Sequence, residues 1–348
     1  MEAILKKEKL GQWIAALQKS GEVFAPDFVE DAWEFTKVNS GADVALDHTN
    51  TVRPAKGFVF PQREVLYRFR LENGKTPALT DSEPKVEPAV VFGVRPCDGR
   101  AMVRNDRVFA CGFSDPYYQA RRDKVVFVGL ACNEPPSPNC FCVSVGGSPH
   151  SEDGLDVLMT ELDGRYHVKA MTDKGKDIVN SASDLFQDPI AADNKDVRSA
   201  HAIALEHPQR AISTMGTVVE ALRRNFTSPL WDRLAQACIG CGACTYLCPS
   251  CHCFDINDEV TGKSPLTGAR VRTWDNCQFP DFTMHSSGHN PREDTGARLR
   301  QRICHKLLYF VENHKMQQCT GCGRCITHCP VGIDIVKIAN VMEEGVWQ

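Results

Sequence analysis

The chain has 348 residues, a formal net charge of −4 and 17 cysteines. Its length predicts about two domains of roughly 150 residues each. The small net charge gives no indication of a nucleic-acid or anionic-membrane surface, and no apolar stretch reaches the ~18 residues that cross a bilayer. With no secretory signal at Met1, this many cysteines predict reduced, metal-binding thiols in a cytoplasmic protein and argue against a disulfide scaffold.

The first two thirds of the chain alternate strand and helix patterns. An amphipathic helix is predicted over residues 9–19, with Leu10, Trp13, Ile14 and Leu17 on one stripe. Two β-branched apolar runs, 89–94 and 124–130, suit strands buried on both faces, and a crossover helix is expected between them. Further strands are predicted at 22–26, 65–71, 156–161 and 166–171, and mostly helix over 191–224. We predict one α/β domain over residues 1–225.

A domain boundary is predicted near Pro229, which suits the first turn of a helix. Helices expected over 229–237, 294–312 and 333–343 flank two cysteine-rich runs. Residues 226–348 are therefore predicted to form an α-helical ferredoxin domain. The arginines of the middle helix, Arg298, Arg300 and Arg302, are expected on a solvated face.

The two cysteine-rich runs are an internal repeat. They read Cys238-Ile-Gly-Cys-Gly-Ala-Cys-Thr-Tyr-Leu-Cys248-Pro249 and Cys319-Thr-Gly-Cys-Gly-Arg-Cys-Ile-Thr-His-Cys329-Pro330. Each has the C-x2-C-x2-C-x3-C-P spacing that holds [4Fe–4S] clusters, and the fourth cysteine of such a run normally binds the other cluster. One cluster is therefore predicted at Cys238, Cys241, Cys244 and Cys329, and the other at Cys319, Cys322, Cys325 and Cys248.

Zinc ribbons are the alternative for these runs, because they also use C-x2-C pairs. Zinc ribbons separate two such pairs by a spacer, whereas here all four cysteines follow one another within each run. The complete runs favour iron–sulfur clusters.

The α/β domain contains a second group of cysteines. Cys97 and Cys132 each follow the end of a predicted buried strand, and Cys140 and Cys142 lie just downstream. If the two strands are parallel neighbours, these thiols meet at the sheet edge where ligands normally bind. The sequence leaves open a third [4Fe–4S] cluster, a zinc site or simple packing of buried thiols.

Three cysteines outside these groups, Cys251, Cys253 and Cys277, are expected to support the first cluster through hydrogen bonds. The chain has no G-x-G-x-x-G after a strand and no P-loop. We therefore expect no flavin or nucleotide in this chain and a partner that accepts hydride.

Six segments together resemble a known family. They are Lys56-Gly-Phe-Val-Phe-Pro-Gln-Arg-Glu64, Gly93-Val-Arg-Pro-Cys-Asp98, Cys132 with Cys140-Phe-Cys142, Cys248-Pro-Ser-Cys-His-Cys-Phe-Asp255, Trp274-Asp-Asn-Cys-Gln-Phe279 and Gly288-His-Asn-Pro291. They resemble the iron–sulfur subunit of cytosolic sulfhydrogenases (beta subunit), of anaerobic sulfite reductase and of flavin oxidoreductase–heterodisulfide reductase complexes. The resemblance extends from about Lys56 to Asp334.

The resemblance implies an electron-transfer subunit, and it also favours the third cluster. In this family a separate FAD and [2Fe–2S] subunit reacts with NAD(P)H, and a catalytic subunit of hydrogenase, sulfite reductase or heterodisulfide reductase type exchanges the electrons. Two other functions stay open: a stand-alone iron–sulfur oxidoreductase with a small substrate beside Cys97, and a freely diffusing ferredoxin. The large α/β domain argues against the latter.

Overall fold

The computed structural model describes residues 1–41, 44, 46–80 and 83–344. Its strands are β1 (Glu2–Lys6), β2 (Glu22–Val29), β3 (Ala32–Lys37), β4 (Arg63–Leu71), β5 (Ala78–Thr80), β6 (Ala89–Val94), β7 (Val125–Leu130), β8 (Val157–Leu162), β9 (Arg165–Ala170), β10 (Phe186–Gln187), β11 (Phe254–Lys263) and β12 (Leu266–Trp274).

The α-helices are α1 (Leu10–Leu17), α2 (Pro96–Phe109), α3 (Pro116–Lys124), α4 (Asp173–Asn180), α5 (Ala191–Glu206), α6 (Met215–Arg224), α7 (Leu230–Ala235), α8 (Ala243–Tyr246), α9 (Thr295–Cys304), α10 (Phe310–His314), α11 (Arg324–Thr327) and α12 (Ile335–Glu344). A π-helical segment, His305–Tyr309, joins α9 to α10. No described helix has the length and apolar composition needed to cross a membrane.

An eight-stranded sheet forms the centre of the N-terminal part, in the order β10-β1-β9-β8-β7-β6-β2-β3. The four neighbours β2, β6, β7 and β8 are parallel, and the outer strands are antiparallel. Strand β7 is buried along its whole length because Val125-Val-Phe-Val-Gly-Leu130 offers apolar side chains to both faces. Helix α2 connects β6 to the next parallel strand, which confirms the predicted crossover.

A second, four-stranded antiparallel sheet was not predicted. Its order is β11-β12-β4-β5, so a hairpin inside the predicted ferredoxin domain pairs with strands from the N-terminal part. The buried ion pair between Arg272 Nη2 and Glu64 Oε2, 2.5 Å apart, ties β12 to β4. Residues 226–344 are therefore not helical throughout.

The apolar cores also extend across residue 225. Two clusters of buried apolar side chains pack on the eight-stranded sheet, and a third such cluster lies among the C-terminal helices. The third cluster combines Trp231 and Leu299 with Phe141, Val218 and Leu222 from the N-terminal side. Apolar contacts thus cross the boundary at residue 225. The division into domains 1–225 and 226–348 stays a prediction, and residues 345–348 lie outside the described ranges.

A buried ion pair joins the second cysteine run to the α/β sheet. Arg324 Nη1 lies 2.5 Å from Asp98 Oδ1, with side chains 2% and 1% exposed. Arg324 Nε also donates to Thr51 O at 2.7 Å, and Asp98 Oδ2 accepts from Ala55 N at 3.1 Å. Both charges are thus fully hydrogen-bonded, as burial of an ion pair requires.

We expect Asp98→Asn to destabilise the chain by about 3–5 kcal/mol, because it leaves the Arg324 charge buried without its partner. Urea unfolding followed by circular dichroism measures the loss. Asp258→Asn, which breaks the exposed Arg270–Asp258 pair, is the matched control and should change little. Equal losses in the two variants would contradict the role of the buried pair.

Candidate iron–sulfur sites

The first three cysteines of the first run meet the last cysteine of the second run. One cavity is lined by Cys238, Cys241, Cys244 and Cys329, with Cys325 on its wall. Gly242 adopts φ 79°, and a Cβ there would come within 2.2 Å of Asn276 Nδ2. The turn thus needs glycine both for its conformation and for the bond from Asn276 Nδ2 to Gly242 O, 2.7 Å.

A second cavity brings together the other four predicted ligands. It is lined by Cys248, Cys319, Cys322 and Cys325, and also by Arg302 and Lys306. The structure therefore places the fourth cysteine of each run beside the first three of the other run, and the assignment of ligands stays a prediction.

A third cavity lies at the carboxyl ends of β6 and β7. Cys97 lies in the first turn of α2 and Cys132 is the second residue after β7, so the parallel strands deliver both thiols to one edge. The cavity is lined by Cys97, Cys132, Cys140 and Cys142, and by Cys322 of the second run. All four thiols predicted for the N-terminal site thus face one cavity.

The three cavities form a row. The first and second share Cys325, Arg302 and Ile335 as lining residues. The second and third share Cys322. The cavity of Cys248 and Cys319 is therefore the middle one of the row. One layer of side chains separates it from each of its two neighbours.

The N-terminal loop that carries Cys140 and Cys142 lies directly on the second run. Phe141 N donates to Gly321 O at 2.9 Å. A Cβ on Gly321 would lie 2.5 Å from Cys142 Cα, and one on Gly323 would lie 2.4 Å from Asn139 O. Both glycines have positive φ, 72° and 76°, so any other residue there would be strained and would push the two cysteine loops apart.

Buried cations surround the middle cavity. Arg302 and Lys306 are 5% and 2% exposed, and in the described part of the chain neither pairs with a carboxylate. Burial opposes the charge of Lys306, but the neighbouring Cys248 and Cys251 outweigh it and raise its pKa. Burial likewise opposes the charge of Arg302, and thiolates at Cys244 and Cys251 raise its pKa.

Burial has the opposite effect on several of the thiols, because it disfavours the thiolate. Burial raises the pKa of Cys319 to about 12 and that of Cys140 to about 12. Unpaired buried cations and thiols that ionise on binding metal together suit a group of negative total charge. The residues therefore fit thiolate-bound iron–sulfur clusters. Among the described residues, no three or more His, Cys, Asp or Glu side chains are placed to hold a single metal ion.

Arg298 and Arg302, expected on a solvated helix face, are instead buried, at 8% and 5% exposed, so the expectation was wrong for both. Residues 302 and 306 lie one turn apart on the side of the α9–π segment that packs against the cysteine loops. The sequence contains a signal for this burial, because both residues lie among Leu299, Ile303 and Leu307, which are all buried. Lys56 lies in a 3-10 turn and is 2% exposed, with Nζ 3.0 Å from Cys251 O.

Cys251 and Cys277 adjoin the sites without lining the three cavities. Arg302 Nη1 lies 3.6 Å from Cys251 Sγ. Cys277 Sγ is 3.5 Å from Thr245 Oγ1 and 3.6 Å from Gln278 Nε2. Because Thr245 follows Cys244 directly, Cys277 is one hydrogen bond away from the first site, as its expected supporting role requires.

Comparison with known proteins agrees with this geometry. Residues 237–333 match the family described as a 4Fe-4S dicluster domain. The chain is 30% identical, over 345 residues, to sulfhydrogenase 2 subunit beta of Pyrococcus furiosus (strain ATCC 43587 / DSM 3638 / JCM 8422 / Vc1), and the alignment covers 98% of each chain. No solved structure matches significantly. An iron–sulfur electron-transfer subunit is the function that these matches support, and the chain belongs to the family of sulfhydrogenase beta subunits.

Proposed function

We propose that the chain relays electrons between an NAD(P)H-linked subunit carrying FAD and [2Fe–2S] and a catalytic subunit of hydrogenase, sulfite reductase or heterodisulfide reductase type. The row of three cysteine-lined cavities is the observation that carries this proposal. Bound at these cysteines, [4Fe–4S] clusters would supply one-electron transfer. The similarity to a named subunit of a larger enzyme supports the need for partners.

The chain's own residues suit a relay that is insulated in the middle and accessible at its end. Cys248 and Cys322, at the middle cavity, are 9% and 8% exposed. In the first run, by contrast, Cys241 is exposed and Ile239 is 66% exposed. A partner could therefore approach the first site closely, whereas Cys248 and Cys322 of the middle one are buried.

The purified chain alone should not oxidise NAD(P)H. The complex obtained when the chain is co-expressed with the neighbouring genes should have this activity. Anaerobic assays with NADH and NADPH measure it. The stand-alone oxidoreductase is the alternative, and NAD(P)H turnover by the isolated chain would favour it over the relay.

We expect Cys329→Ala to remove the cluster held mainly by Cys238, Cys241 and Cys244, because Cys329 lines that cavity. Its electron paramagnetic resonance spectrum after reduction should resemble that of Cys238→Ala and differ from that of Cys319→Ala. Cys111→Ser, at an exposed cysteine outside the cavities, is the control. A spectrum that resembles Cys319→Ala instead would overturn the crossed assignment.

The third site should hold a cluster of its own, at Cys97, Cys132, Cys140 and Cys142. Fully loaded chain should then contain about twelve iron and twelve sulfide, on four of each per cluster. The Cys97→Ala/Cys140→Ala double variant should contain about eight of each and keep the signals of the other two sites. A wild-type content of about eight, or one zinc per chain, would be incompatible with a third cluster.

A further inference from the structure

A polar cavity lies beside the N-terminal cysteine site and is not accounted for by the relay. Its volume is about 310 Å³, at the lower end of the roughly 300–1,000 Å³ of small-molecule pockets. Its walls include Arg95, directly after β6, and Leu130, the last residue of β7. Ligands of open α/β sheets bind at this carboxyl edge of the parallel strands.

Three of its lining residues, His48, Arg95 and Asn133, have a buried polar atom without a hydrogen-bond partner in the described structure, and that of His48 is Nδ1. Arg95 is 8% exposed; its Nη2 donates to His48 O, and its Nε is unpaired. Asn133 Nδ2 donates to Glu161 O at 2.9 Å, while its Oδ1 is unpaired. The cavity wall thus offers a donor and an acceptor, and buried groups of this kind normally have a partner.

The charges around the cavity select against anions. Among the described residues that line it are three carboxylates, those of Asp47, Glu134 and Glu161, and Glu161 pairs with Lys7. Arg95 supplies the one guanidinium or ammonium group of this described lining. Carboxylates that outnumber cations disfavour an oxyanion and favour a ligand with N–H donors.

We propose that this cavity binds a small neutral molecule with an amide or ureide group, whose carbonyl oxygen accepts from Arg95 and whose N–H groups donate to Asn133 Oδ1 and the carboxylates. The donor and acceptor of such a group match those of the wall. Polar groups of this kind fix a ligand's orientation in a pocket of this size.

The position of the cavity connects it to the cysteines. Pro135 and Pro136 line both this cavity and the N-terminal cysteine cavity. Burial raises the pKa of the Cys132 thiol, and the positive charge of Arg95 opposes this rise. A bound molecule would therefore be separated from that site by a single layer of side chains. The binding site itself rests on the cavity alone and does not depend on the proposed relay.

Isothermal titration calorimetry on the anaerobically purified full-length chain tests the proposal, with uracil and nicotinamide as neutral probes and sulfite and phosphate as anionic probes. We expect binding of at least one neutral probe and none of the anions. Asn133→Leu should weaken that binding at least tenfold, because it removes the amide at nearly constant size. Glu206→Gln, at the exposed end of α5, should leave it unchanged.

Iron content, measured for every variant, separates this test from the relay. Asn133→Leu should keep its iron, since Asn133 does not line the cysteine cavity. Arg95→Gln, which also removes the charge that acts on the Cys132 thiol, serves as a second variant and should lose binding as well. No heat with either neutral probe, tighter binding of sulfite or phosphate, or unchanged affinity in iron-loaded Asn133→Leu would each overturn the proposal.

Discussion

The ion pair between Arg324 and Asp98 is the contact on which the arrangement of the sites depends. Arg324 lies between Cys322 and Cys325 in the second run, and Asp98 follows Cys97 in the α/β part. Because both side chains are almost completely buried, neither charge can return to water while the two parts stay packed. Separation of the parts would expose or strand both charges. The pair therefore fixes the middle and N-terminal cysteine cavities side by side.

Backbone contacts around this pair allow no space between the two cysteine loops. Gly321 and Gly323 pack against Cys142 and Asn139 so closely that a Cβ would overlap them. Asn50 Nδ2 adds a bond to Cys322 O at 3.0 Å, and Asn105 Nδ2 bonds Pro249 O at 3.1 Å. Side chains from the α/β part thus hold the backbone of both runs. The cysteine runs are thus one wall of a core that they share with the α/β part.

Charge is distributed along the row of cavities in a way that suits electron transfer. Arg302 reaches both the first and the middle cavities, and Lys306 lines the middle one. Lys56 lies at the edge of this group, over the ring of Trp274 at 4.0 Å, and burial lowers its pKa to about 8. Fixed cations near a cluster stabilise its more negative, reduced state, and their hydrogen bonds to sulfur tune its potential.

The sequence by itself determined the chemistry of the sites, because cysteine spacing within a run is a local property that survives any folding of the rest. It also determined the central strands β6 and β7, whose apolar runs are unbroken, and the crossover helix between them. Only the tertiary structure decided which distant segments contact each other. The pairing of β12 with β4 and the approach of Cys322 to the N-terminal cysteines have no local signal. Each depends on contacts between residues far apart in the chain, and a single sequence does not encode these as a periodic pattern.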